Sequence, residues 1–91
     1  MLTIHKYTLV LDDYITVSMP KDSLVLTVDI QHNRVQLWAL VDVESGVRQR
    51  TFRLAGTGHP VKEYFDVLNY IGTFQLQQGD LIFHLFEIKE D

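Results

Sequence analysis

The sequence predicts an all-β domain: a mainly antiparallel sandwich or small barrel of about seven strands, with at most one short helix near residues 61–68. Three observations predict it. Apolar and polar residues alternate with period two through most of the chain. Turn-forming clusters interrupt that alternation at 11–13, 19–22, 32–33, 42–46 and 77–80. Only one segment repeats its apolar positions with helical spacing, at Val61, Tyr64, Phe65 and Leu68.

Each element follows from its residues. Leu2, Ile4, Lys6 and Thr8 alternate with Thr3, His5, Tyr7 and Leu9, and Leu11-Asp12-Asp13 then turns the chain. Tyr14 to Ser18 reads as a short strand with Ile15 and Val17 on one face, ended by Met19-Pro20 because proline lacks a ladder donor. From Ser23 to Gln31, Leu24, Leu26, Val28 and Ile30 share a face. His32-Asn33 is a compact hairpin signal, since Asn tolerates positive φ. Arg34 to Val43 follows, with Val35, Leu37, Ala39 and Val41 on one side and Gln36, Trp38 and Leu40 on the other. Val47 to Leu54 is expected to pair back on it as a hairpin. Tyr70 to Leu76 and Leu81 to Ile88 form a last hairpin around 77–80. The strand through Phe83, His84, Leu85 and Phe86 is apolar on both faces, which predicts burial against another subunit.

The 91 residues read as a single β domain, 1–91, with a thin core of its own. A domain of this size is often helped by association, so a homo-oligomer is the expected assembly. The net charge of −4 disfavours a nucleic-acid polymer as partner. There is no cysteine, which removes disulfide and thiol chemistry. Met1 to Lys6 shows no signal-peptide pattern and no apolar run approaches a membrane span, so the expected location is cytoplasmic, away from the membrane.

Three of the four arginines, Arg48, Arg50 and Arg53, lie on one extended run that ends in Gly56-Thr57-Gly58-His59-Pro60. A glycine-bearing bend beside fixed positive charge is what a small anion needs. In the ligand reading, the loop amides, the Thr57 hydroxyl and His59 hold a phosphate, and Arg53 adds a bidentate pair. In the plain reading, the glycines supply positive φ and the proline ends a strand. Alternation splits the arginines: Arg48 and Arg50 share a face with Phe52 and Leu54, while Arg53 lies opposite. Arg48 and Arg50 are the ones expected to pair with surface carboxylates. Trp38 or Tyr70 offers an aromatic wall for a nucleotide-like ligand, or else these residues serve core and subunit contacts.

The four histidines, His5, His32, His59 and His84, show no metal-ligand spacing, so neither metal nor other cofactor is expected. His84, between Phe83 and Leu85, reads as a hydrogen-bonded histidine of a packed strand. No nucleophile elbow or carboxylate pair is evident, which points away from an enzyme and leaves no catalytic residue to name.

The series Met19-Pro20, Leu37-Trp38-Ala39-Leu40-Val41-Asp42, Gly56-Thr57-Gly58-His59-Pro60, Tyr70-Ile71-Gly72-Thr73 and Phe83-His84-Leu85-Phe86-Glu87 resembles a family of short proteins encoded in tailed-phage genomes and prophages. The resemblance covers nearly the whole chain and implies a setting, the host cytoplasm. By analogy with small phage proteins, it implies an oligomeric, non-catalytic counter-defence factor that sequesters a small anionic nucleotide-like signal. The alternative is a host-takeover or anti-defence protein that covers a host protein directly, without a small ligand.

Overall fold

The computed structural model describes residues 1–90 as seven antiparallel strands in two sheets. In chain order they are β1 (Leu2–Thr8), β2 (Tyr14–Pro20), β3 (Ser23–Gln31), β4 (Arg34–Asp42), β5 (Val47–Gly56), β6 (Leu68–Leu76) and β7 (Leu81–Ile88). A three-stranded sheet has the order β1-β4-β3, and a four-stranded sheet the order β2-β5-β7-β6. The molecule is 16 Å across its thinnest axis, which admits one layer of interdigitated side chains between the sheets.

Local chemistry sets the two hairpins. His32 and Asn33 both take positive φ, 52° and 61°, as a tight two-residue turn between β3 and β4 requires. Gln77, Gln78 and Gly79 turn β6 into β7 with φ of 51°, 57° and 93°. Ile15, Met19, Phe52, Leu54, Phe74 and Leu85 fill the core from the four-stranded sheet, and Val28, Val35 and Leu37 from the other. Each such burial contributes roughly 1.5–3 kcal/mol. β3 and β6 draw together along one side of the sandwich. Gly72 permits this, because a Cβ there would lie 2.9 Å from Val28 Cγ1.

Long-range pairing departs from the local reading in several places. β5 does not fold back on β4. It crosses to the second sheet, where Phe52 lies opposite Ile15 and Leu54 opposite Leu85. β2 continues through Met19 to Pro20, because Pro20 ends an edge strand and owes no ladder bond. The register of β3 shifts at Leu26, so Leu24 faces outward while Val28 is buried inward. Residues 61–68 form only a single 3₁₀ turn, Phe65–Val67. Two helical turns are marginal without packing, and Glu63 and the Pro60 carbonyl are instead bonded to Arg53. β7 is a central strand between β5 and β6; its inner face is closed over by Leu85, while its outer face carries Phe86 beside the exposed Tyr70.

The two sheets have four edge strands. β3 and β6 each carry a register shift, and β2 ends in a proline. Bulges and prolines are the usual guards against strand addition. β1 has neither, and Tyr7 is its only half-buried residue. On the outer face beside it, Ile4, Leu40 and Leu24 form one cross-strand row, with Trp38 in the next row. Ile4 and Leu24 are 58% and 62% exposed.

Candidate functional site

The glycine-bearing bend leaves β5 and crosses the outer face of the four-stranded sheet. Arg53 lies beneath it, with a side chain only 8% exposed. Its guanidinium makes four hydrogen bonds within the protein, which occupy four of its five N–H groups. Nε donates to Glu63 Oε1 at 3.0 Å, and Nη2 to the Pro60 carbonyl at 3.2 Å. Nη1 donates to the carbonyls of Leu54 and Asp13. The Tyr14 ring stacks 5.1 Å from the guanidinium carbon, and the Tyr14 hydroxyl donates to Glu63. Arg53 is thus a clamp that fastens the loop to β2 and β5. These contacts leave one Nη2 N–H without a protein acceptor, so the bidentate phosphate pair expected of Arg53 is not open to it in this arrangement.

The rest of the bend is placed in a similar way. The Thr57 amide donates to the Ile82 carbonyl at 3.1 Å and the His59 amide to the Gly56 carbonyl at 3.0 Å, so neither is free to cradle an anion. Gly56 is buried and lies against the His59 ring, which a Cβ at residue 56 would meet at 2.9 Å. Gly58 takes φ +87°, the left-handed conformation expected of it. Thr57, Gly58 and His59 are exposed.

The loop completes a hydrogen-bond chain that the sequence reading did not assemble. Thr57 Oγ1 lies 2.6 Å from His84 Nε2, and Thr73 Oγ1 lies 2.9 Å from His84 Nδ1. The Tyr70 hydroxyl lies 2.7 Å from Thr73 Oγ1. The signal was available: counting back from the turn at 77–80 places Thr73 opposite His84 on neighbouring strands. Both imidazole nitrogens meet hydroxyls rather than a carboxylate, so the ring ties three segments together and lacks the orienting acid of a general base. His84 is thus the hydrogen-bonded strand histidine predicted. Among the described residues, no three His, Cys, Asp or Glu side chains gather in a way that could hold a metal ion.

Beside this chain, Tyr64, Phe65, Leu68, Tyr70 and Phe86 line an apolar cleft of about 450 Å³. Tyr64 and Phe65 stack at 4.2 Å, and Tyr70 meets Phe86 edge-on at 5.7 Å. Trp38 is not part of it. It projects from the outer face of the three-stranded sheet, away from the bend at 56–60, whereas Tyr70 lines the cleft beside that bend.

Arg48 and Arg50 point to the inner side at one end of the sandwich, on the Phe52 row as alternation predicts. Arg50 Nε and Nη2 grip Glu87 at 2.5 and 2.7 Å, and Nη1 donates to the Ser23 carbonyl at 2.7 Å. Arg48 pairs with Glu90.

The Tyr14 hydroxyl, helped by the Arg53 guanidinium, holds the Glu63 carboxyl below its usual value. A carboxylate with a depressed folded value stabilises the fold above its unfolded pKa of about 4.3. That contribution disappears as pH falls through the folded value. The loop over 57–64 is therefore expected to loosen in acid before the core does. Tyr14→Phe should move the loosening to higher pH. Loop amide shifts followed by NMR titration check this, and identical profiles for the two proteins would contradict it.

The fold and these contacts define a seven-stranded antiparallel β-sandwich whose outer face is strapped by a loop clamped to a buried arginine. The chain belongs to the family described as Domain of unknown function (DUF7352), whose model matches residues 1–91. No curated protein and no solved structure matches it. Among the described residues, no helix is long and apolar enough to cross a membrane.

Proposed function

We propose that this chain is a self-associating, non-catalytic binding protein whose copies join through β1. The observation that carries the reading is the unguarded edge: β1 alone among the four edge strands lacks a bulge or proline. Lys6, the one cation on β1, is drawn across the sheet face to Gln31 at 2.7 Å and does not guard the edge. A second copy is the occupant that fits best. A two-fold axis beside Ile4 would pair each β1 with its own equivalent and join two Ile4-Leu40-Leu24 rows into one continuous apolar row. The hydroxyl neighbours of His84 support binding without turnover. On the resemblance to phage-encoded proteins, the role assigned is counter-defence in the host cytoplasm.

Sedimentation velocity at high micromolar concentration should give twice the chain mass. Ile4→Glu should give the monomer with an unchanged circular dichroism spectrum, since Ile4 supports no core contact. A wild-type chain that stays monomeric at that concentration contradicts the reading. The exposed aromatic cleft favours a second reading, direct cover of a host protein without a small ligand. Capture of one host protein by the wild type, lost in Phe65→Ala, would support that instead.

A further inference from the structure

Half of the chain's cations line one groove. Of eight Lys and Arg residues, four, Lys21, Arg48, Arg50 and Lys89, surround a space of about 290 Å³ at the end of the sandwich. Among the described residues, two carboxylates, Glu87 and Glu90, share it. Counted over the described residues, the groove is locally positive in a chain whose net charge is −4. Lys21, Arg48 and Lys89 are exposed, so solvent screens part of their mutual repulsion, and an anion placed between them would offset the rest.

The two carboxylates are not equivalent. Glu87 is held by two bonds from Arg50, and both side chains are largely buried, 16% and 17% exposed. With its third bond to the Ser23 carbonyl, the Arg50 guanidinium is fixed in place before any ligand arrives. The Arg48–Glu90 pair is open to solvent, with side chains 48% and 42% exposed. Such a pair contributes about 0–1 kcal/mol, so a stronger anion can displace Glu90. Among the described residues, Lys21 and Lys89 carry no salt bridge.

We propose that this groove binds a compact phosphate or diphosphate group through Arg48, Lys21 and Lys89, and that Glu90 occupies Arg48 as an internal competitor the anion displaces. Arg fits a tetrahedral oxyanion through paired N–H bonds, and the two lysines add point charges without fixed geometry. The space lies at the lower limit of small-molecule sites, which suits a phosphate moiety rather than a whole nucleotide. This names a ligand class for the binding protein proposed above. It does not depend on the β1 contact: a failed mass measurement would leave the groove standing, and a failed titration would leave the dimer standing.

Calorimetric titration of the full chain with inorganic pyrophosphate and, separately, with ADP tests the site. One anion per chain is expected, with affinity falling as chloride is added. The double variant Arg48→Ala/Lys89→Ala should bind at least about tenfold more weakly. Glu90→Gln should bind more tightly, by up to about fivefold, because the competitor is gone. Tighter binding of ADP than of pyrophosphate assigns the phosphate of a nucleotide, and the reverse order assigns the free anion; both support the site. Absence of heat with both probes, or equal affinity in the double variant, overturns it. The substituted side chains are exposed, and matching thermal melts confirm that the variants fold.

Discussion

Phe52→Ala is expected to lower stability by about 3–5 kcal/mol. Phe52 is completely buried, in the middle of β5, with Ile15 opposite on β2 and Glu87 opposite on β7. It is among the largest fully buried side chains in the core. In a sandwich with one layer of core side chains, the neighbours that could fill the cavity are themselves held in strand ladders. A domain of this size has roughly 5–15 kcal/mol in total, so the variant should be marginal at room temperature. Urea denaturation should show a much lower midpoint with a similar slope. Phe52→Leu, which keeps most of the volume, should cost well under half as much. A loss below about 1 kcal/mol for the alanine variant would mean that the two sheets do not close over this residue.

Arg53→Ala should cost about 1–3 kcal/mol. The loss is electrostatic rather than volumetric. Removing the guanidinium takes the Arg53 donors from the carbonyls of Leu54 and Pro60 and leaves Glu63 with the Tyr14 hydroxyl alone. For a chain of this length, each kcal/mol lowers Tm by roughly 4–8 °C. Arg53→Lys should recover only part of the loss, because an ammonium cannot point at Glu63, Pro60 and Leu54 together. Residues 57–64 should also become the first segment cut by a protease in the alanine variant. An unchanged melt together with an unchanged loop would return Arg53 to the role of an available anion ligand.

What was legible in the sequence was local. Alternation located the strands, and His32-Asn33 announced its hairpin because two residues with positive φ are a short-range demand. The switch of β5 into the other sheet was not legible. It is decided by what Phe52 and Leu54 meet across the ladder, and Ile15 and Leu85 lie far away in sequence. The shift at Leu26 was hidden too, since a bulge leaves the polar-apolar pattern of the text intact while it turns Leu24 outward.

The site followed the same division. The bend at 56–60 was recognisable as a bend, but the burial of Arg53 depends on Glu63 returning over the sheet. The basic groove draws Lys21, Arg48 and Lys89 from three distant segments, which no spacing rule connects. Arg48 makes the kind of exposed carboxylate pair expected, with Glu90, whereas the Arg50–Glu87 pair is largely buried and so departs from the surface pair expected. That expectation concealed the surplus charge around them.

The central claim is that the free edge of β1 joins one copy to another. Amide hydrogen exchange measured residue by residue, over a range of protein concentrations, tests it most directly. The account predicts that β1 amides become protected as concentration rises, and lose that protection on dilution or in Ile4→Glu, while β4 amides stay protected throughout. If the outward-facing β1 amides exchange as a bare strand edge at every concentration, the copies do not meet there.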